Sequence, residues 1–222
     1  TNLENTHIDS VDPNGLIWDT INPKRAIGCV VYPACEIEKP GVIKHIEGNR
    51  FSLGEPSEVN SERLKTLSGL LISGGLKAPQ KKQLRDEIWI KLWGNCSFNP
   101  LSAITGASLD ILGTDPSSRL LIQNLMEECQ KVGEAVGAKF NISIENRING
   151  AASIIGHKPS TRQDIELKRP LEIDPIMSAI IEIGTKLDIP TPMLKHVNGI
   201  LKLKANYLGL YNRNELIDRL TV

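Results

Sequence analysis

The apolar positions of this chain change their period along its length. Residues 26 to 55 read as strands: AIGCVVYPACEIE is rich in β-branched residues, and Glu38-Lys39-Pro40-Gly41 supplies a turn. GVIKHIEGNRFSLGE continues as one or two further strands, so this region is expected to form a small antiparallel unit. The pattern then turns helical. Leu64, Leu67 and Leu71 fall at i, i+3 and i+7 in SEVNSERLKTLSGLLISGG, and Gly74-Gly75 ends that helix. A short strand is expected near 76 to 79. From about residue 81 helical periodicity holds almost to the end of the chain. QLRDEIWIKLWGNCSFNPLSAIT is one long helical stretch. Asp115-Pro116 opens the next helix as cap and first-turn pair, with Leu121, Leu125, Cys129, Val132 and Val136 on its apolar face. Asp174-Pro175 opens another, in which Ile176, Ala179, Ile180, Ile183 and Leu187 face inward, and a last helix begins near Pro192.

Composition narrows the possibilities. The 222 residues suit one large domain or two modest ones. Twenty-six Lys+Arg balance 26 Asp+Glu, which gives no electrostatic case for nucleic acid or an anionic membrane as partner. No apolar run approaches the roughly 18 residues a membrane span needs. Cys29, Cys35, Cys96 and Cys129 are scattered without a Cys-x-x-Cys, so a reducing cytoplasm and no structural zinc are expected. In such a compartment the sequons at Asn95 and Asn141 are idle. The chain opens TNLENTHIDSVDPNG without methionine and rich in turn formers, a stretch that reads as the inside of a loop. It is therefore expected to be a piece of something longer.

Three sets of residues are candidates for chemistry. Lys91, Asn95 and Asn99 are spaced by four, which places them on one stripe of a helix. One cation and two carboxamides are a good face for a small polar anion, although a solvated helix face has the same pattern. Trp89 and Trp93, with Ile88 and Leu92, point to a largely buried helix, and a buried lysine needs a partner such as a bound carboxylate or oxo group. A lysine whose surroundings lower its pKa is also a general acid. In HKPSTRQDIELKRPLEID, Ser160 and Gln163 are spaced as a capping box, and a serine at a helix start can also touch an anion. Glu172 follows twelve residues after Ser160, just before the Asp174 cap. His7, His45, His157 and His196 have no metal-ligand spacing with Cys, Asp or Glu.

Two of these segments together resemble the ketopantoate reductases, the NADPH-dependent 2-dehydropantoate 2-reductases. The family's Lys-x3-Asn-x3-Asn-Pro-Leu-[Ser/Thr]-Ala helix corresponds to Lys91 to Ala103. Its Pro-Ser-x2-Gln-Asp segment corresponds to Pro159 to Asp164, and its Glu-Ile-Asp to Glu172 to Asp174. Ile189-Pro190-Thr191-Pro192 resembles its entry to the last helix. By this resemblance Lys91 is the general acid that protonates the ketone oxygen. Asn95 and Asn99 hydrogen-bond the hydroxyl and carboxylate ends of the substrate, Ser160 binds the carboxylate, and Glu172 reaches the cofactor side of the cleft.

The sequence also departs from the family. Leu109 stands about where some members place another substrate-binding asparagine, and His157-Lys158 replaces Asn-Ile before the serine. Lys158 could offer a further cation to a substrate acid or remain solvated. No Gly-x-Gly-x-x-Gly turn exists in these 222 residues, so roughly the first 100 residues of a typical member, with the nucleotide-binding turn, are expected to be missing. The expected architecture is an α+β remnant of a Rossmann-type domain over 1–80, the trailing strands and helix of an NADP-binding domain. An all-α domain over 81–222, resembling the C-terminal domain of 6-phosphogluconate dehydrogenase, follows it. Unpaired sheet edges in the first part favour disorder near the start or pairing with another chain, a homodimer among the options. The resemblance implies reduction of ketopantoate or a related 2-oxo acid, with weak NADPH binding by this chain alone. A paralogue acting on another keto acid and a non-catalytic helical interaction domain are the alternatives.

Overall fold

The computed structural model of the chain describes residues 3–211. In chain order its elements are helix α1 (Leu16–Ile21), strands β1 (Gly28–Val31), β2 (Ala34–Lys39), β3 (Val42–Glu47) and β4 (Phe51–Gly54), and helices α2 (Glu62–Ser73), α3 (Leu84–Thr105), α4 (Leu109–Thr114), α5 (Pro116–Ala135), α6 (Ile144–Ala152), α7 (Ser160–Glu166), α8 (Ala179–Lys186) and α9 (Pro192–Tyr207). A π-helical turn, Asp174–Ser178, leads into α8. Among the described residues no helix is long and apolar enough to cross a membrane.

The chain divides into two compact units, one of residues 21–88 and one of residues 3–20 with 89–211. The boundary expected at 80/81 thus falls at 88/89, inside α3. Residues 3–20, expected with the strands, belong to the helical unit. Long-range polar contacts explain this second difference. Glu182 of α8 accepts the backbone N–H groups of Asp9 and Ser10 at 2.9 and 2.8 Å and the Ser10 hydroxyl at 2.7 Å. Asp12 accepts the N–H groups of Ile17 and Trp18 at 2.8 and 2.9 Å, satisfying the open donors of α1. The stretch expected to be a loop, residues 1–15, thus carries in Asp12 the cap of the helix that follows it.

In the 21–88 unit β1 pairs antiparallel with β4, and β2 pairs antiparallel with β3. Gly28 and Gly54 face each other across the first pair, and a Cβ at either would come within 2.6 or 2.7 Å of Leu84. Helix α2 starts where Ser61 accepts the Leu64 N–H at 3.2 Å, and it buries Leu64 with Leu53 and Ala78. Leu67 and Leu71 complete that apolar face. The strand expected near 76 to 79 is a run of isolated parallel bridges, Arg50 with Lys77 and Leu53 with Gln80. Phe51 N–H donates to Lys77 O at 2.7 Å and Lys81 N–H to Leu53 O at 2.7 Å, so β4, α2 and residues 77–81 make a strand–helix–strand crossover. Both faces of the β2–β3 hairpin are exposed to water.

The helical unit has the larger core. Helix α5 packs against α4, α6, α8 and α9, burying Ile122, Leu125, Met126 and Cys129. Trp93, fully buried, stacks on Phe140 with ring centroids 4.4 Å apart and donates its indole N–H to Met126 O at 3.0 Å. Gly133 gives the aromatic cluster room, since a Cβ there would lie 2.9 Å from both Trp89 and Phe140. Emptying a site like that of Trp93 costs about 3–5 kcal/mol. Two long-range caps fix the helix ends. Glu128 accepts the N–H groups of Met193 and Leu194 at the start of α9, both at 2.9 Å. Lys204 of α9 donates to Ala103 O and Ile104 O at 2.7 and 2.9 Å, closing the last turn of α3.

Candidate active site

Helix α3 carries the Lys91, Asn95 and Asn99 stripe, and its opposite side is the core of the helical unit. Trp93, Cys96, Ser97 and Phe98 are buried, and that packing sets which residues remain for the stripe. Lys91 is exposed, Asn95 half-buried and Asn99 only 8% exposed. The polar row therefore runs from water inward, whereas the flanking tryptophans alone pointed to a buried lysine. Pro100 lies within α3 and lacks the N–H that would bond the Cys96 carbonyl, next to Asn99. The side of α3 near Lys91 has a further neighbour. A Cβ placed on Gly94 would lie 2.8 Å from Nη2 of Arg147, a residue of α6.

Ser160 is the first residue of α7, with Pro159 in the cap position and no side-chain cap bond. The expected capping box is not formed, because proline takes the cap place one residue earlier. Gln163 instead donates to Lys158 O at 2.7 Å. The exposed Ser160 hydroxyl accepts from Asn99 Nδ2 at 3.4 Å. Two motifs 61 residues apart in sequence meet at this contact. Asp164, one turn further along α7, has its carboxyl pushed up by burial, with Arg169 at 3.9 Å working against that shift. Sequence reasoning quoted Asp164 without giving it a role.

The structure pairs Lys158 with Glu166 at 2.8 Å, and Arg162 reaches the same carboxylate at 2.9 Å. Lys158, then Arg162, hold Glu166 below the usual carboxylate range. Leu109 is partly buried against the helical core, and its N–H donates to His157 O at 3.1 Å. Glu172 is exposed between two buried neighbours, Leu171 and Ile173.

Asp174 does not serve as the expected helix cap. It is 5% exposed, and its carboxylate accepts from Lys202 Nζ at 2.8 Å, Ser178 Oγ at 2.6 Å and Tyr211 Oη at 2.8 Å. Burial works to raise its pKa, but the three donors outweigh it and keep the group below its ordinary range. Lys202 is correspondingly held above its ordinary value by Asp174 and Tyr211 against the effect of burial. No spacing in the sequence signals this cluster, since Lys202 lies 28 residues from its partner. Cys96 and Cys129 are buried free thiols, and burial pushes the Cys129 thiol well up, which leaves it inert. Among the described residues no group of three His, Cys, Asp or Glu could hold a metal ion.

The fold agrees with that of the relatives of the chain. Residues 83–205 match the family Ketopantoate reductase PanE/ApbA C terminal, and the chain belongs to the ketopantoate reductase family. It is 47% identical over 210 residues to the 2-dehydropantoate 2-reductase of Mesorhizobium japonicum, covering 95% of this chain and 64% of that protein. A Ralstonia solanacearum MolK2 crystal structure, of a protein assigned to the ketopantoate reductases, superposes with a TM-score of 0.90 at 34% identity, over 94% of this chain and 64% of that one. A D-mandelate dehydrogenase solved with NADH shares the fold, with a TM-score of 0.76 at 23% identity over 83% of this chain and 64% of that one. The chain thus spans a little under two thirds of the length of these relatives.

Proposed function

We propose that this chain supplies the substrate half of an NADPH-dependent reductase that converts ketopantoate, or a related 2-oxo acid, to the 2-hydroxy acid. The observation that carries the reading is the 3.4 Å contact between Asn99 and Ser160, which joins two motifs that match the family. In this reading Asn95 and Asn99 hold the hydroxyl and carboxylate ends of the substrate, and the Ser160 hydroxyl holds the carboxylate. Lys91 is the general acid. Reduction of the ketone carbon builds negative charge on its oxygen, and an ammonium beside that oxygen both stabilises and protonates it. Lys91 sits at the watered end of the stripe, so it can be reprotonated from solvent.

The described residues do not fit the pyrophosphate of a dinucleotide. They hold no glycine-rich turn, and the strand-to-helix turn they do hold, from β4 to α2, carries Glu55. That carboxylate is bound by Arg63 and Ser61 at the start of α2 and is pulled down to about 2, chiefly by Arg63, so it is anionic at neutral pH. No step is therefore routed through the cofactor, and Glu172 is assigned to it by motif position. A cytoplasmic location, inferred from the scattered spacing of the four cysteines, and a homodimer belong to the same reading.

Leu109 favours a second reading, a paralogue that reduces a different keto acid. An apolar side chain packed on the core there removes one hydrogen-bond donor from the substrate set. The test is NADPH oxidation by protein expressed from the whole reading frame, with ketopantoate and a panel of 2-oxo acids. Turnover of ketopantoate that vanishes in Lys91→Ala supports the first reading, and turnover of another acid alone supports the second. Absence of turnover with every acid would leave a helical interaction domain.

A further inference from the structure

Gly94 is an unexpected residue in the middle of the 22-residue helix α3, where glycine costs about 1 kcal/mol relative to alanine. Its place has a tenant. The Cβ it lacks would lie 2.8 Å from Nη2 and 3.7 Å from Cζ of Arg147. The guanidinium of another helix thus occupies the space of the missing side chain. Gly94 is three residues after Lys91 and adjoins Asn95, so the slot borders the Lys91 end of the polar stripe. Arg147 is half-buried, and its own helix is fixed on both sides of it. Ser143 caps α6 by accepting the Asn146 N–H at 3.1 Å, and Ile148 is buried in the core. Lys158, the cation the sequence offered for a substrate acid, is paired with Glu166 instead.

We infer that Arg147 is a further substrate-binding residue, and that its guanidinium, admitted by Gly94, takes the carboxylate of the 2-oxo acid beside Lys91. The inference rests on the reading of Lys91 as the group that serves the ketone oxygen. In a 2-oxo acid the carboxylate carbon is bonded directly to the ketone carbon. A group that reaches the ketone oxygen therefore brings the carboxylate into the adjacent side-chain slot. A guanidinium meets a carboxylate with two parallel N–H donors, a geometry that an ammonium does not offer.

The experiment is NMR titration of the 222-residue chain with ketopantoate and with its carboxamide, for the wild type, Arg147→Met, Arg147→Lys and Gly94→Ala. Gly94→Ala retains the arginine and improves the helix, but its methyl displaces the guanidinium from the slot. The wild type is expected to bind the acid more tightly than the amide. Arg147→Met and Gly94→Ala should each weaken acid binding roughly tenfold to a hundredfold while leaving amide binding nearly unchanged, the range for a hydrogen bond to a charged group. Arg147→Lys should fall between. Thermal unfolding of each variant shows that the fold is retained. If the wild type prefers the acid and the folded variants keep that preference, Arg147 has no part in binding and only this inference fails. If the wild type binds neither compound, or both equally, the substrate-half reading fails and takes the inference with it.

Discussion

Asp174 and Asn99 are both buried polar residues of the helical unit, at 5% and 8% exposure, yet their surroundings differ. The Asp174 carboxylate is met by three donors at 2.6–2.8 Å, two of them supplied from or just beyond α9. The Asn99 amide reaches an exposed serine hydroxyl at 3.4 Å. One cluster uses its hydrogen-bonding capacity internally and gains rigidity. The other holds its groups in place on a rigid helix while their capacity is only loosely used. A ligand can improve the second cluster and can only disturb the first. Short saturated contacts therefore mark the scaffold here, and the long contact at the edge of water marks the candidate site.

Substitutions can break this contrast at several points. The largest effect is expected for Lys91→Ala, which should lower turnover of the whole protein by about 10²- to 10⁴-fold, the contribution of a general acid. Its thermal unfolding should stay close to wild type, because the residue is exposed; a folding defect of similar size would move Lys91 to the scaffold. Next comes Lys202→Met, which leaves the Asp174 carboxylate buried with its cation removed. Urea unfolding should report a loss of about 3–5 kcal/mol, as for other buried pairs deprived of one partner. Ser160→Ala reverses that profile. Stability should change by less than about 0.5 kcal/mol, while KM for the 2-oxo acid rises roughly tenfold.

A pH series sharpens the same comparison. The depressed pKa of Asp174 contributes stability that is present above the ordinary aspartate range, near 3.9, and is lost as pH falls through the lower folded value. The raised pKa of Lys202 contributes below the ordinary lysine range, near 10.4, and is lost as pH rises through the higher folded value. Denaturant midpoints should therefore fall on the acid side below about pH 4, and Lys202→Met should flatten that acid limb. The smallest effect is expected for Lys158→Ala. The exposed pair with Glu166 is worth less than about 1 kcal/mol, and an unchanged KM would place Lys158 outside the substrate contacts.

Features governed by local spacing were legible in the sequence. Leu64, Leu67 and Leu71 form the inward face of α2, Asp115 accepts the Ser118 N–H at 2.8 Å to start α5, and α9 begins at Pro192. The Lys-Asn-Asn stripe was legible because its period is that of the helix bearing it. Features governed by distant partners were not. Helix α1 depends on Asp12 and on the anchoring of residues 9 and 10 by Glu182. Asp174 looked like an ordinary cap because its cation lies 28 residues away. Arg147 had no motif around it, and the signal that could have found it was Gly94, a glycine inside a strong helical pattern.

Helix α9 holds the end of α3 through Lys204 and the turn after Glu172 through Lys202. Lys204 lies 101 residues downstream of the Ala103 carbonyl it satisfies. During synthesis on a ribosome, the helix that bears Lys91 therefore emerges well before the residue that secures its last turn. The proposed substrate face has to wait, half-finished, for nearly the whole of the helical unit. A premature stop between residues 173 and 202 would leave every proposed site residue encoded and both of these anchors gone.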